Sequence, residues 1–133
     1  MTRAIIIVAT LLAALAAASA APAQSAPALS FGRGGGNIAP FTVSISATGH
    51  VTAVGVRVGK RDVPQATLKT LLRLAASARL SAMSSLTLCP QTLPDFAAPW
   101  IRVGTHRVAV RGTCRPGFNR LYTALTHAVA LSA

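Results

Sequence analysis

The chain has 133 residues, 52% of them hydrophobic, and sets thirteen Lys or Arg against two Asp, for a formal charge of +11. That length holds one domain. Two carboxylates are too few for a Ca²⁺ cage or a carboxylate-rich metal centre, and a paired-carboxylate catalytic site is not expected.

The first segment reads as an export signal. Arg3 supplies a positive start, Ala4 to Ala18 is apolar apart from Thr10, and Ala18-Ser19-Ala20 and Ala21-Pro22-Ala23 both fit small-residue cleavage sites. The run is shorter than the ~20 residues that span a bilayer as a helix; a retained anchor is the alternative. No cysteine lies near the cleavage region to be acylated, and no later stretch is long and apolar enough to cross a membrane. The expected organisation is a signal peptide over 1–23, a flexible Ala/Pro/Ser leader over 24–28 and a single domain over 29–133. The mature protein is expected to be secreted or extracytoplasmic, with no membrane span.

Leu29 to Arg33 predicts a first strand, followed by the turn-prone Gly32-Arg33-Gly34-Gly35-Gly36-Asn37. Phe41, Val43, Ile45 and Ala47 alternate with Thr42, Ser44 and Ser46, the period of a half-buried strand. Thr48-Gly49 turns the chain into a β-branched arm over Val51 to Val58. At Asp62 the period changes. Asp62 and Gln65 fit a reciprocal helix cap with Pro64 in the first turn, and Leu68, Leu71, Leu72 and Ala75 recur at helical spacing from Val63 to about Arg79. Pro90, Pro94 and Pro99 break the next stretch, in which Ser84 to Leu88 fits a short edge strand.

Pro99 to Gly112 predicts a hairpin with Gly104-Thr105 at its tip. In that register Val103 faces His106, Arg102 faces Arg107, Ile101 faces Val108 and Trp100 faces Ala109. Ile101, Val103, Val108 and Val110 then share a core face, while Trp100, Arg102, Arg107, Ala109 and Arg111 share the other. A last helix starts near Pro116 with an apolar stripe of Phe118, Leu121, Tyr122, Leu125 and Val129. The expected fold class is α+β: an antiparallel sheet of about five strands in the order β-β-β-α-β-β-α, with two helices on one face and the other face wet.

Cys89 and Cys114 are the only cysteines. In an oxidising compartment they are expected to form a disulfide; a redox pair or metal site is the alternative, without a C-x-x-C spacing to support it.

Chemistry has few places to sit. His50 falls in a turn, His106 at a hairpin tip and His127 on the last helix, none at a metal-binding spacing with a second ligand. No Gly-x-Ser-x-Gly elbow occurs, and a Ser-His-Asp arrangement would have to recruit Asp62 or Asp95. Asp62 also reads as a helix cap. Asp95, in Leu93-Pro94-Asp95-Phe96, reads as a turn residue or as the partner of an arginine. An enzyme is not expected, and no cofactor or metal is. Gly34-Gly35-Gly36-Asn37 lacks the Lys-Ser/Thr and helix of a phosphate loop; it reads as a mobile loop or as one presented to a partner.

The basic charge is the strongest remaining signal. Arg102 opposite Arg107, beside Trp100 and Arg111, is an unfavourable juxtaposition unless an anion meets it. Solvated arginines in an arginine-rich composition are the plainer reading. Nucleic acid, whose binding normally shows aromatic stacking positions or a recognition helix, is not an expected partner of a chain with one Trp and an export signal.

An early strand ending in Gly35-Gly36, a hairpin around Gly49, a Leu/Ala-rich helix, the segment Leu93-Pro94-Asp95, and a last hairpin and helix make the chain similar to the emfourin-type family of small protease inhibitors and its secreted relatives. The resemblance runs over most of residues 29–131 and implies inhibition of thermolysin-like metalloproteases. The chain differs from the family in its export signal, its cysteine pair and its few acids. Two partners are therefore expected as alternatives: a protein, of which a secreted protease is one case, or an anionic polymer of the cell envelope. The candidate binding surface is Gly34, Gly35, Gly36, Asn37, Trp100, Arg102, Arg107 and Arg111.

Overall fold

A computed structural model describes residues 26–132. The expected signal peptide and the start of the leader lie outside the described residues.

The strands are β1 (Leu29–Gly34), β2 (Phe41–Ile45), β3 (Val51–Val54), β4 (Arg57–Val58), β5 (Leu86–Leu88), β6 (Ala98–Val103), β7 (His106–Arg111) and β8 (Leu131–Ser132). The helices are α1 (Gln65–Ser77) and α2 (Pro116–Ala128), and a 3₁₀ turn covers Leu80–Ala82. Six strands form one sheet in the order β3-β2-β1-β6-β7-β5, and β4 pairs with β8 in a second, two-stranded sheet. The fold class is α+β, as expected.

Alternation decides what the main sheet buries. Leu29 and Phe31 on β1, Val43 and Ile45 on β2, Ile101 on β6, and Val108 and Val110 on β7 are fully buried. They meet Leu68, Leu71 and Ala75 of α1 and Phe118, Leu121 and Leu125 of α2 in one core. Both helices therefore cover the same face. Phe31 meets Tyr122 edge-on, with ring centroids 5.8 Å apart.

The sheet is mixed rather than antiparallel: β5 runs parallel to β7. The cause is the Pro-rich connection. β5 ends beside Arg111, and β6 begins at Ala98, two residues before the Trp100–Ala109 pair and so at the same end of β7. Residues 89–97 thus stay at one end of the sheet and cross over the end of β7. β6 must start at the end where β5 stops, so β5 and β6 are antiparallel, and β7, antiparallel to β6, matches β5.

Two other expectations need correction. The arm over Val51 to Val58 is not one strand. At Gly55 φ is +77°, and a Cβ there would lie 2.6 Å from the Pro40 carbonyl, so the chain bends away and β4 leaves for β8. Asp62 does not cap α1, which has Pro64 at its N-cap and no side-chain capping bond. Residues 61–63 instead lie extended along β3: Val51 N–H donates to Arg61 O (2.8 Å) and Val63 N–H to Gly49 O (2.8 Å). That places Asp62 too early in the chain to reach the helix amides. Gln65 donates to Ala47 O (3.3 Å) rather than completing a capping box.

Cys89 and Cys114 form a disulfide with Cα atoms 5.5 Å apart. It joins the residue after β5 to the segment after β7. No described helix is long and apolar enough to cross a membrane.

Candidate functional site: the helix-free sheet face

The β6–β7 hairpin has the register that its sequence implies, with Trp100 opposite Ala109 and Arg102 opposite Arg107. Ser30 and Gly32 of β1 pair with Arg102 and Trp100. Ser44 and Thr42 of β2 continue these rows. On the far side Leu86 and Leu88 of β5 pair with Ala109 and Arg111. The helix-free face is thus hydroxyl-rich over β1 and β2, cationic and aromatic over β6 and β7, and aliphatic at β5.

Trp100 sits at its centre and is only 7% exposed. Gly32 makes this possible: a Cβ there would lie 2.8 Å from the indole and 2.1 Å from the Phe41 carbonyl oxygen. The ring lies in the space that a larger residue would fill. Arg107 covers it, with its guanidinium carbon 4.4 Å from the ring centroid, and Arg102 lies 6.0 Å away. The two like charges share one aromatic ring, to which each is drawn. Both arginines remain exposed. Ser30, buried at 4%, shares a hydrogen bond with Ser44 (3.1 Å between hydroxyls).

The glycine loop reaches the same face from the end where the Pro-rich connection crosses. Gly34 pairs with Ala98. At Gly36, φ +65°, a Cβ would lie 2.3 Å from Asp95 O, so the loop is packed on the Pro-rich segment. A Cβ at Gly35 would lie 3.6 Å from an Arg111 guanidinium nitrogen. Gly34, Trp100, Arg102 and Arg107 also border one shallow depression of about 360 Å³. The structure therefore gathers the predicted surface residues around one face, with Asn37 exposed on the loop at its rim.

Among the described residues no carboxylate neutralises these cations. Among the described residues the one ion pair joins His50 Nδ1 to Asp62 Oδ1 (3.4 Å), both largely exposed. Asp95 pairs with no arginine, which corrects the ion-pair expectation; its place is in the turn beside Gly36. Arg111 Nε is buried without a hydrogen-bond partner.

The histidines are scattered. The backbone N–H of His50 donates to Ser46 Oγ (3.0 Å), but no hydroxyl hydrogen-bonds to its ring among the described residues. His106 Nε2 donates to Met83 O (3.1 Å), and His127 is exposed on α2. No group of three or more His, Cys, Asp or Glu is arranged to hold a metal among the described residues.

Sequence reasoning missed the aliphatic margin. Leu86, Leu88, Leu93 and Phe96 are 50–61% exposed. The pattern of Leu86-Thr87-Leu88 held the signal, since alternation puts both leucines on one face, but which face depends on the parallel pairing with β7.

No protein-family model, curated protein or solved structure matches the chain.

Proposed function

We propose that the chain is an exported, non-catalytic protein-binding domain whose helix-free face docks an acidic partner protein, with inhibition of a secreted protease as its specific form. The observation that carries this reading is the Trp100 ring held by Arg107 and Arg102 with no carboxylate in contact. Trp and Arg beside exposed leucines have the composition of an interface centre, where aromatic and guanidinium groups supply most of the binding energy. Leu86 and Leu88 favour a protein over an envelope polymer, because a uniform polyanion offers such side chains nothing to bury against. The disulfide suits an oxidising compartment, in keeping with the export signal. The likeness in element order to the emfourin-type inhibitors supports the protease as partner.

The test is a pull-down from producer culture supernatant at low salt and at roughly 0.5 M salt, where surface attraction is largely screened. The wild type is compared with the variants Arg102→Ser/Arg107→Ser/Arg111→Ser and Leu86→Ser/Leu88→Ser, and captured proteases are assayed for inhibition. A protein retained at both salts and lost in both variants supports the reading. Capture of anionic polymer alone, abolished by salt and indifferent to the leucines, overturns it in favour of a cationic envelope-binding module.

A further inference from the structure

The row of β1 side chains facing the helices reads Leu29, Phe31, Arg33, so a cation stands where the core pattern calls for a hydrophobe. Arg33 borders a cavity of about 300 Å³ between the end of the main sheet, α2 and the small β4–β8 sheet. Its walls are largely apolar, Ile38, Phe41, Val56 and Leu131 among them, with Tyr122 and Ser132 as the uncharged polar side chains. The Arg33 guanidinium carbon lies 5.4 Å from the centroid of Phe41, within cation–π range. Arg33 Nε is buried and has no hydrogen-bond partner. The Tyr122 hydroxyl donates its proton to Gly32 O (3.1 Å), so Arg33 is the cavity's source of positive charge and of strong donors.

From this geometry we infer that the cavity is a binding site for a small monocarboxylate with an apolar tail. The carboxylate takes the guanidinium fork, to which its two oxygens are matched, and the tail lies against Val56, Ile38 and Leu131. A single cation selects one negative charge, and the walls hold no second cation to meet another carboxylate. A pocket of this size with one charged group fixing orientation has the general character of a small-ligand site. The site is separate from the proposed protein-docking face, although Arg33 and Phe41 also border the depression there.

The experiment titrates the disulfide-bonded protein with octanoate and with octanol by calorimetry. In parallel it follows ionisation of Tyr122, the sole tyrosine, by ultraviolet absorbance. Octanoate is expected to bind once per chain and about tenfold or more tighter than octanol, the difference a charge-assisted pair makes. It should also move the Tyr122 ionisation upward by neutralising Arg33. Arg33→Gln should reduce octanoate to the level of octanol, Val56→Phe should weaken both by filling the cavity with Arg33 intact, and Arg102→Ser/Arg107→Ser should change neither. Equal binding of the two probes, or octanoate binding that follows Arg102 and Arg107 instead of Arg33 and Val56, overturns the inference.

Discussion

Reducing the Cys89–Cys114 bond perturbs the fold at a calculable place. The two residues are 25 apart in sequence, and opening a loop of that length returns unfolded-state entropy worth about 3.5 kcal/mol in the chain-entropy treatment. Domains of this size have about 5–15 kcal/mol in total, so the melting temperature should fall by roughly 15–20 °C. The loss has a local component too. β5 is three residues long, lies at the sheet edge and is laddered to β7 on one side only. Its end is fixed by the Cys89 N–H bond to Arg111 O (2.9 Å) and by the disulfide itself. Urea denaturation of the oxidised and reduced wild-type chains isolates the cross-link, because both side chains remain. Cys89→Ala/Cys114→Ala adds the loss of the buried Cys89 side chain and should be less stable still. Amide exchange in the reduced protein should accelerate at Thr87 and Cys89 well before it does at Phe31 or Ile101. A stability loss below about 1 kcal/mol, or acceleration spread evenly over the sheet, would refute this account of what the bond constrains.

Further expectations follow from single contacts. Gly32→Ala drives a methyl into the Phe41 carbonyl and the Trp100 ring; a loss of at least ~2 kcal/mol is expected in thermal melts, with a shift in the emission of the only tryptophan. Tyr122→Phe removes the bond to Gly32 O and should cost about 1 kcal/mol in urea midpoints. Burial raises the Tyr122 hydroxyl above the usual phenol value, with Arg33 opposing in smaller measure. The neutral phenol is therefore favoured by folding. Its contribution is complete below the unfolded value near 10 and is lost as pH rises through the raised folded value. Spectrophotometric titration should find a late midpoint in the folded protein, later again in Arg33→Gln, and stability should fall in alkali less steeply in Tyr122→Phe. Arg107→Ser uncovers the indole and should move its emission to the red, whereas Lys69→Ser on the exposed face of α1 should leave it unchanged.

The parts of this fold that were legible in the chain are those decided by neighbours in sequence. A two-residue loop at Gly104-Thr105 pins the β6–β7 register, and with it the Arg102–Arg107 and Trp100–Ala109 pairs. The stripe of Phe118, Leu121 and Leu125 reports α2 by period alone. Asp62 failed as a cap for the opposite reason. Its local pattern fits one, but the bonds of its neighbours to Gly49 and Val51 hold it extended, and a ladder to another strand is not written in Asp62-Val63-Pro64-Gln65. The parallel edge was equally hidden, since it depends on where residues 89–97 must cross. β8 is two residues long, too short to carry a period.

The same distinction explains what was visible of the site. Which side chains share a strand face follows from alternation, so Trp100, Arg102, Arg107 and Arg111 could be grouped before any fold was known. That the glycine loop and the leucines of β5 join them depends on strand order. β1 lies beside β6 and carries Gly34 to Ala98, while β5 lies beyond β7 and carries Leu88 to Arg111. Gly32 is the residue on which the arrangement turns. Any side chain there would displace the Trp100 ring, and without the ring in place Arg102 and Arg107 would stand as two like charges directly opposite each other, an arrangement that costs stability. The glycine, the tryptophan and the two arginines are therefore best regarded as one unit: the missing Cβ seats the ring, the ring holds the cations, and the cations are left without a carboxylate of their own.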